Sequence, residues 1–413
     1  MDRLIGRDAV GVLSYPIVVH SHLQWEWVWQ RPQHIFSRLI ENHRVLFVET
    51  LPPSPDLQSP RIRRHHPVHD NFIAAQVQFP CSCWDDGAFV DRERRRLVQD
   101  LLSGPLLGKF EAPVQWFYDP MAVTAFAGYL GESGIVYDCM DELSKFKFAP
   151  PEIIQRERKL LSIADVVFTG GRKMFEAKRK HNGNCHFYGC GVEVEHFEQA
   201  MSEQLPLAED FKDIPSPRLG YVGVVDERID YDLVADLADA NAEWQVVMVG
   251  PTTKVDPSAL PRRRNLHWLG GRKYEELPKY IKGFNVCLMP FALNEATEFI
   301  NPTKALEYLA TGRPVVSTAV ADVVTNFPPV AIAENGPDFI RLCREAVASP
   351  KKENIRAGLK LAAENTWDSI VGKMDDHIET ALARKSGRQF LNEAHLDLIH
   401  RGGLIPLSEP AAF

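Results

Sequence analysis

Short runs of apolar, largely β-branched residues recur along this chain, each followed by a turn and a stretch with helical spacing. In the first half they are Pro16-Ile-Val-Val-His20, Arg44-Val-Leu-Phe-Val-Glu49, Asn71-Phe-Ile-Ala-Ala75, Pro113-Val-Gln-Trp-Phe-Tyr118, Gly134-Ile-Val-Tyr-Asp138 and Ala164-Asp-Val-Val-Phe-Thr169. In the second half they are Leu219-Gly-Tyr-Val-Gly-Val-Val225, Trp244-Gln-Val-Val-Met-Val-Gly250, Leu266-His-Trp-Leu-Gly270, Phe284-Asn-Val-Cys-Leu-Met-Pro290 and Pro314-Val-Val-Ser-Thr318. A run apolar on both faces suits a parallel strand covered by helices on both sides. The expected class is therefore α/β, with two Rossmann-like domains facing each other. At 413 residues the chain exceeds one ordinary core. The expected boundaries are 1–205 and 206–365, joined through a linker at 201–217 that holds Pro206, Pro215 and Pro217. A last long helix is expected over 366–385, then a tail over 386–413.

Composition narrows the function. A net charge of −8 argues against a general nucleic-acid binder. No run of about 18 apolar residues offers a membrane span, and the segment from Met1 to Asp8 shows no secretory h-region. Seven cysteines, an odd number without paired ligand spacing, fit a reducing cytoplasm and no structural zinc.

Open α/β sheets place ligands outside the carboxyl ends of their strands. Asp119, Asp138, Asp141, Gly170 and Gly171 stand at such ends in the first half. Asp138 can be read as a general base for an acceptor hydroxyl or as a loop anchor. The first strand runs into Trp25-Glu-Trp-Val-Trp-Gln-Arg31, without the Gly-x-Gly-x-x-Gly of a dinucleotide cofactor site. Trp25 and Trp27 are read equally as a sugar platform or as packing, Trp29 as core, and Arg31 as part of the cleft. Residues 51–70, rich in Pro, Arg and His, read as an exposed loop. Its basic cluster, from Arg61 to Arg64 with His65 and His66, is either solvated or turned to an acidic acceptor or a membrane surface.

The stretch Phe299-Ile-Asn-Pro-Thr-Lys304 leads into a helix with Leu306, Leu309 and Ala310 on one face. Pro302 suits the first helical position and Gly312 the left-handed stop. Thr303 and Lys304 stand where an anion is favoured. Glu307, about a turn later, can accept hydrogen bonds from a ribose diol.

This segment resembles the donor-binding helix of GT-B glycosyltransferases, in particular their large retaining, metal-independent class. That class carries two Glu separated by seven residues, then a small-residue turn, Pro and two valines. Glu307 matches the second Glu and Ala310-Thr-Gly-Arg-Pro-Val-Val316 the turn and strand, whereas Phe299 stands at the first Glu position and Glu298 one residue before it. The tryptophan loop with Gln-Arg-Pro-Gln-His34 is similar to a bacterial subset associated with surface polysaccharide synthesis.

The resemblance implies a C-terminal domain that binds a nucleotide-diphosphate sugar through Gly271, Arg272, Glu298, Asn301, Thr303, Lys304 and Glu307. Lys304 and Arg228 would stabilise the leaving diphosphate, with Asp138 near the place where the class has a His. The last helix would cross back to the first domain. A saccharide or lipid-linked acceptor would meet Trp25, Trp27, Arg31, Asp119, Asp141, Gly170 and Gly171. No cofactor or metal is expected, nor any nucleic acid; the expected location is the cytoplasm, with contact at the inner membrane face left open. A nucleotide-sugar epimerase and a catalytically degenerate partner of another transferase stay open.

Overall fold

The computed structural model describes residues 14–400 apart from 66–68, 147–148 and 296, and over 388–400 the backbone alone. Two sheets organise the chain. The first holds β1 (Ile17–Ser21), β2 (Val45–Thr50), β3 (Arg61–His65), β4 (Phe72–Gln78), β5 (Val114–Phe117), β6 (Gly134–Cys139), β7 (Val166–Thr169) and β8 (Cys185–Phe187). Its order is β3-β4-β2-β1-β5-β6-β7-β8, all parallel except β3 against β4. The second holds β9 (Arg218–Val222), β10 (Gln245–Val249), β11 (Leu266–Gly270), β12 (Val286–Met289), β13 (Val315–Thr318) and β14 (Ala331–Ala333). Its parallel order, β11-β10-β9-β12-β13-β14, reverses direction between β9 and β12. A ligand crevice is expected at that reversal.

The apolar runs do what their composition requires. Ile17, Val18 and Val19 are fully buried, as are Val246, Val247, Met248 and Val249, with helices covering both sheet faces. Alternate β1 residues feed different cores, Val18 one and Ile17 with Val19 the other.

Three strands depart from the sequence reading. β3 forms inside the expected loop, with Arg61 opposite Gln78 and His65 opposite Ala74. An edge strand needs one partner only, and charged side chains on it discourage pairing with other molecules; charge therefore hid the strand. His66 lies outside the described residues. β8 and β14 span three residues each, too short for a periodic pattern to show.

The helix Trp367–His400 returns to the first domain. Trp367, Val371, Met374 and Ile378 face the same core as Ile17, Trp116 and Phe168, a stripe at helical spacing. The helix continues to His400 rather than ending at 385, through a segment that contains no proline to stop it. The remainder of the expected tail, 401–413, lies outside the described residues. Among the described residues no helix is long and apolar enough to cross a membrane.

The domains touch along one side of the cleft between them. Phe299 packs against the first core, and its carbonyl lies 2.3 Å from where a Cβ on Gly171 would sit. Asp322 accepts from the Arg172 N–H at 2.9 Å and from Asn301 Nδ2 at 3.1 Å. The Cys190 N–H donates to Asn301 Oδ1 at 3.3 Å.

Candidate functional site

The carboxyl ends of both sheets open onto one cleft of about 1480 Å³. Pockets for a single small ligand run to about 1,000 Å³, so two substrates fit. The second domain contributes the turns after β9, β10, β11 and β12 and the segment Ile300–Glu307; the first contributes the tryptophan loop, Met140, Asp141 and Gly170. A separate cavity of about 180 Å³ lies behind the second sheet near Arg313, Pro329 and Asn354, and holds no predicted site residue.

The second-domain wall rests on two glycines that no other residue could replace. Gly223 closes β9 with φ +151° and Gly250 closes β10 with φ +155°. A Cβ on Gly250 would lie 1.7 Å from the Gly223 carbonyl oxygen, and one on Gly223 would lie 2.7 Å from Lys304 Cε. The bare turn thus lets the Lys304 stem lie across the end of β9. Its Nζ donates to Thr303 Oγ1 at 3.1 Å and stands 3.8 Å from Glu307 Oε2.

Glu307 lines the cleft at 7% exposure, on the helix Lys304–Leu309. The first turn begins at Pro302, whose carbonyl accepts from the Ala305 N–H at 3.2 Å, and Gly312 stops the chain at φ +67°. Tyr308 Oη accepts from the Val222 N–H at 2.7 Å and ties the helix to β9. The helix has only six residues, so Lys304 rather than the helix dipole supplies most of the positive charge.

Arg228 also lines the cleft, with Nε and Nη2 held 2.7–3.1 Å from the Asp226 carboxylate. Gly271 and Arg272 border the space, although the Arg272 guanidinium turns to Asp210 at 3.2 Å. Glu298 is absent from the lining; it pairs across the domain boundary with Lys173 at 3.2 Å. Asn301 and Thr303 do line it. Phe299, at the first Glu position, serves the domain contact instead.

The first-domain wall sorts the predicted residues differently. Trp25 is 6% exposed and packs on Phe72 with ring centroids 4.3 Å apart, whereas Trp27 is 48% exposed. Trp29, expected in the core, stacks on Tyr274 of the second domain at 5.6 Å. Its Nε1 donates to His34 Nδ1 at 3.1 Å. Burial pushes the His34 pKa below its ordinary value, consistent with the neutral ring that accepts this bond.

Asp138 is not on the rim. It is fully buried, with both oxygens 3.0 Å from Arg31 Nε. Arg31 Nη1 donates to the Tyr188 carbonyl at 2.8 Å. Burial raises the Asp138 pKa, and Arg31 opposes that rise. So enclosed, Asp138 does not reach an acceptor hydroxyl; it holds Arg31 and the start of the helix Arg31–Leu39.

Asp119 is likewise withdrawn, accepting from the Met121 N–H at 2.9 Å and pairing with Arg94 at 3.4 Å. Asp141 does border the cleft, as does Gly170; Gly171 sits at the domain contact. His22, unremarked in the sequence, lies within electrostatic reach of Asp119 and Asp141, which partly offset the burial that lowers its pKa, and of Lys254, which adds to the lowering. Tyr274, Asp226 and Tyr308 carried no local signal. Gly223 and Gly250 were legible as glycines ending strands.

Residues 216–340 match the family described as glycosyl transferases group 1. The chain is 26% identical over 260 residues to TuaH of Bacillus subtilis strain 168, named as a teichuronic acid biosynthesis glycosyltransferase. That match covers 57% of this chain and 64% of the relative, less than two thirds of its length. The fold resembles the Escherichia coli trehalose-6-phosphate protein bound with UDP-2-fluoro glucose, at TM-score 0.65 and 12% identity over 89% of this chain and 99% of the other. It also resembles sucrose-phosphate synthase from Thermosynechococcus elongatus, at TM-score 0.63 and 15% identity over 90% and 100%. The architecture is GT-B, and the match to the group 1 glycosyl transferase family lies within the second domain.

Proposed function

We propose that this protein transfers a sugar from a nucleotide-diphosphate sugar to a hydroxyl of a saccharide or lipid-linked acceptor during bacterial surface polysaccharide or glycolipid synthesis. The observation that carries the reading is Glu307 and Lys304 side by side on the second-domain wall, facing Asp141 and the tryptophan loop across one cleft. Glu307 accepts the ribose hydroxyls, and Lys304 meets the diphosphate.

Negative charge develops on the diphosphate as the glycosidic bond breaks. Fixed cations there lower the barrier because they are already oriented when the charge appears. Lys304 has a free share of its charge for this; Arg228 acts in part, since Asp226 neutralises it. The cleft between the domains positions donor and acceptor for reaction. With Asp138 sealed away, the carboxylates on the acceptor side are Asp141 and Glu26. Retention of the anomeric configuration belongs to this reading and rests on the resemblance; independence from metal belongs to it too, while contact with the inner membrane face stays open.

The test is calorimetric binding of a panel of nucleoside diphosphates to wild type and to Glu307→Ala. One base should bind wild type and lose at least about tenfold in the variant, roughly 1.4 kcal/mol. Equal binding by both proteins removes Glu307 from the site. Silence across the panel favours the degenerate partner, and turnover of a nucleotide sugar with no acceptor favours the epimerase.

A further inference from the structure

The basic strand β3 has no role in the donor site, yet through His65 and Glu26 it adjoins the tryptophan loop that lines the cleft. Register places Arg63 opposite Gln76, Gln76 opposite Glu49, and Glu49 opposite Ser21. Residues paired across neighbouring strands point to the same face. Arg63 therefore shares a face with Glu49, whose Oε1 accepts the Trp25 N–H at 2.7 Å. That is the face on which the tryptophan loop lies. Strand alternation puts Arg61 and His65 there too.

His65 Nδ1 stands 3.7 Å from Glu26 Oε1, and Glu26 and Trp27 both line the cleft. Basic strand and cleft are thus contiguous. The polar groups on this face are incompletely satisfied. Arg61 Nη2 donates to Gln78 Oε1 at 2.8 Å, but Arg61 Nε and His65 Nε2 are shielded from solvent without a partner among the described residues. Arg63 is exposed. Glu49 is committed to the Trp25 N–H and to Gln76 Nε2 at 3.0 Å, and Glu26 is 66% exposed. Protection of a sheet edge explains charge on β3; it does not explain donors shielded from solvent and left unpaired beside the loop that lines the cleft.

We propose that β3 recognises a negatively charged group on the acceptor: a saccharide ring packs on exposed Trp27, and its carboxylate or phosphate is held by Arg61, Arg63 and His65. This deepens the transferase reading and rests on it. A planar guanidinium suits either oxyanion, because both offer two oxygens to its fork of N–H groups. The neutral part of the acceptor needs only an apolar face and hydrogen bonds.

The experiment uses the full chain saturated with the nucleoside diphosphate that binds best. Cellobiouronic acid, cellobiose 6′-phosphate and neutral cellobiose are titrated by calorimetry into wild type, Arg63→Ala and Arg61→Ala/Arg63→Ala. One anionic disaccharide should bind at least tenfold more tightly than cellobiose, and which one distinguishes carboxylate from phosphate. The double variant should lose that preference while its nucleoside diphosphate affinity stays at the wild-type value, which also shows it to be folded. Equal binding of charged and neutral sugars, a preference that survives both substitutions, or no disaccharide binding to a nucleotide-bound protein overturns the proposal and leaves the donor reading standing. Failure to bind any nucleotide sinks the donor reading first and this one with it. Arginine-dependent binding to phosphatidylglycerol vesicles without a preference among the sugars overturns it in favour of a membrane surface.

Discussion

Removing Arg31 alone should destabilise the first domain more than removing Arg31 and Asp138 together. Asp138 is fully buried, and Arg31, 2% exposed, reaches both of its oxygens at 3.0 Å. Arg31→Leu leaves a carboxylate in a dry interior without a counter-charge, which costs about 3–5 kcal/mol. It also strips the Tyr188 carbonyl of its donor. For a domain of roughly 200 residues each kcal/mol moves the melting temperature by about 2–4 °C, so a fall on the order of 10 °C is expected. Arg31→Leu/Asp138→Leu should recover most of it, since a buried pair replaced by apolar residues is often neutral.

The pH dependence has a definite sign. Without Arg31, burial acts on Asp138 with only Tyr118 opposing it and sets its folded pKa further above the unfolded value of about 3.9. The folded state then binds the proton more tightly, so stability is present below the unfolded pKa and lost as pH rises through the raised folded one. The deficit of Arg31→Leu should be greatest near about pH 8 and shrink toward about pH 5. Differential scanning fluorimetry of the three proteins across that range is the assay. A single variant that melts with wild type, or Asp138→Asn that abolishes transfer without changing stability, would refute the structural role and return Asp138 to catalysis.

Two further outcomes follow from the packing. Gly223→Ala places a Cβ 2.7 Å from Lys304 Cε in a backbone region that glycine alone adopts easily. Such strain costs about 1–3 kcal/mol, and nucleoside diphosphate affinity should fall at least tenfold as Lys304 is displaced, read by calorimetry. Trp367→Ala removes a side chain 1% exposed that stacks on His34 at 4.7 Å. Large aromatic truncations in a core cost about 3–5 kcal/mol, so the urea midpoint of unfolding should drop, with nucleotide affinity in the second domain retained.

Much of the architecture was legible because parallel strands buried on both faces need unbroken apolar runs, and these stand out in any sequence. Edge strands escaped for the complementary reason: β3 is charged because it is an edge, and β8 and β14 are too short to show a period. Within the cleft, Lys304 and Glu307 were readable because one helix sets both and local spacing suffices.

The residues from the first domain were harder. Asp138 and Asp141 are three positions apart at the end of one strand, yet one is sealed against Arg31 and the other borders the cleft. Nothing local distinguishes them; the decision lies with an arginine 107 positions away in sequence. Trp25, Trp27 and Trp29 sit at alternate positions of one loop and end in a core, exposed at the cleft and against Tyr274 respectively. By itself the sequence determined the two-sheet plan, the glycine turns and the donor-side helix, because backbone sterics and burial period act over a few residues. Only the tertiary structure decided which charged and aromatic side chains face the cleft, because a buried charge goes where its partner is, and that partner comes from distant chain.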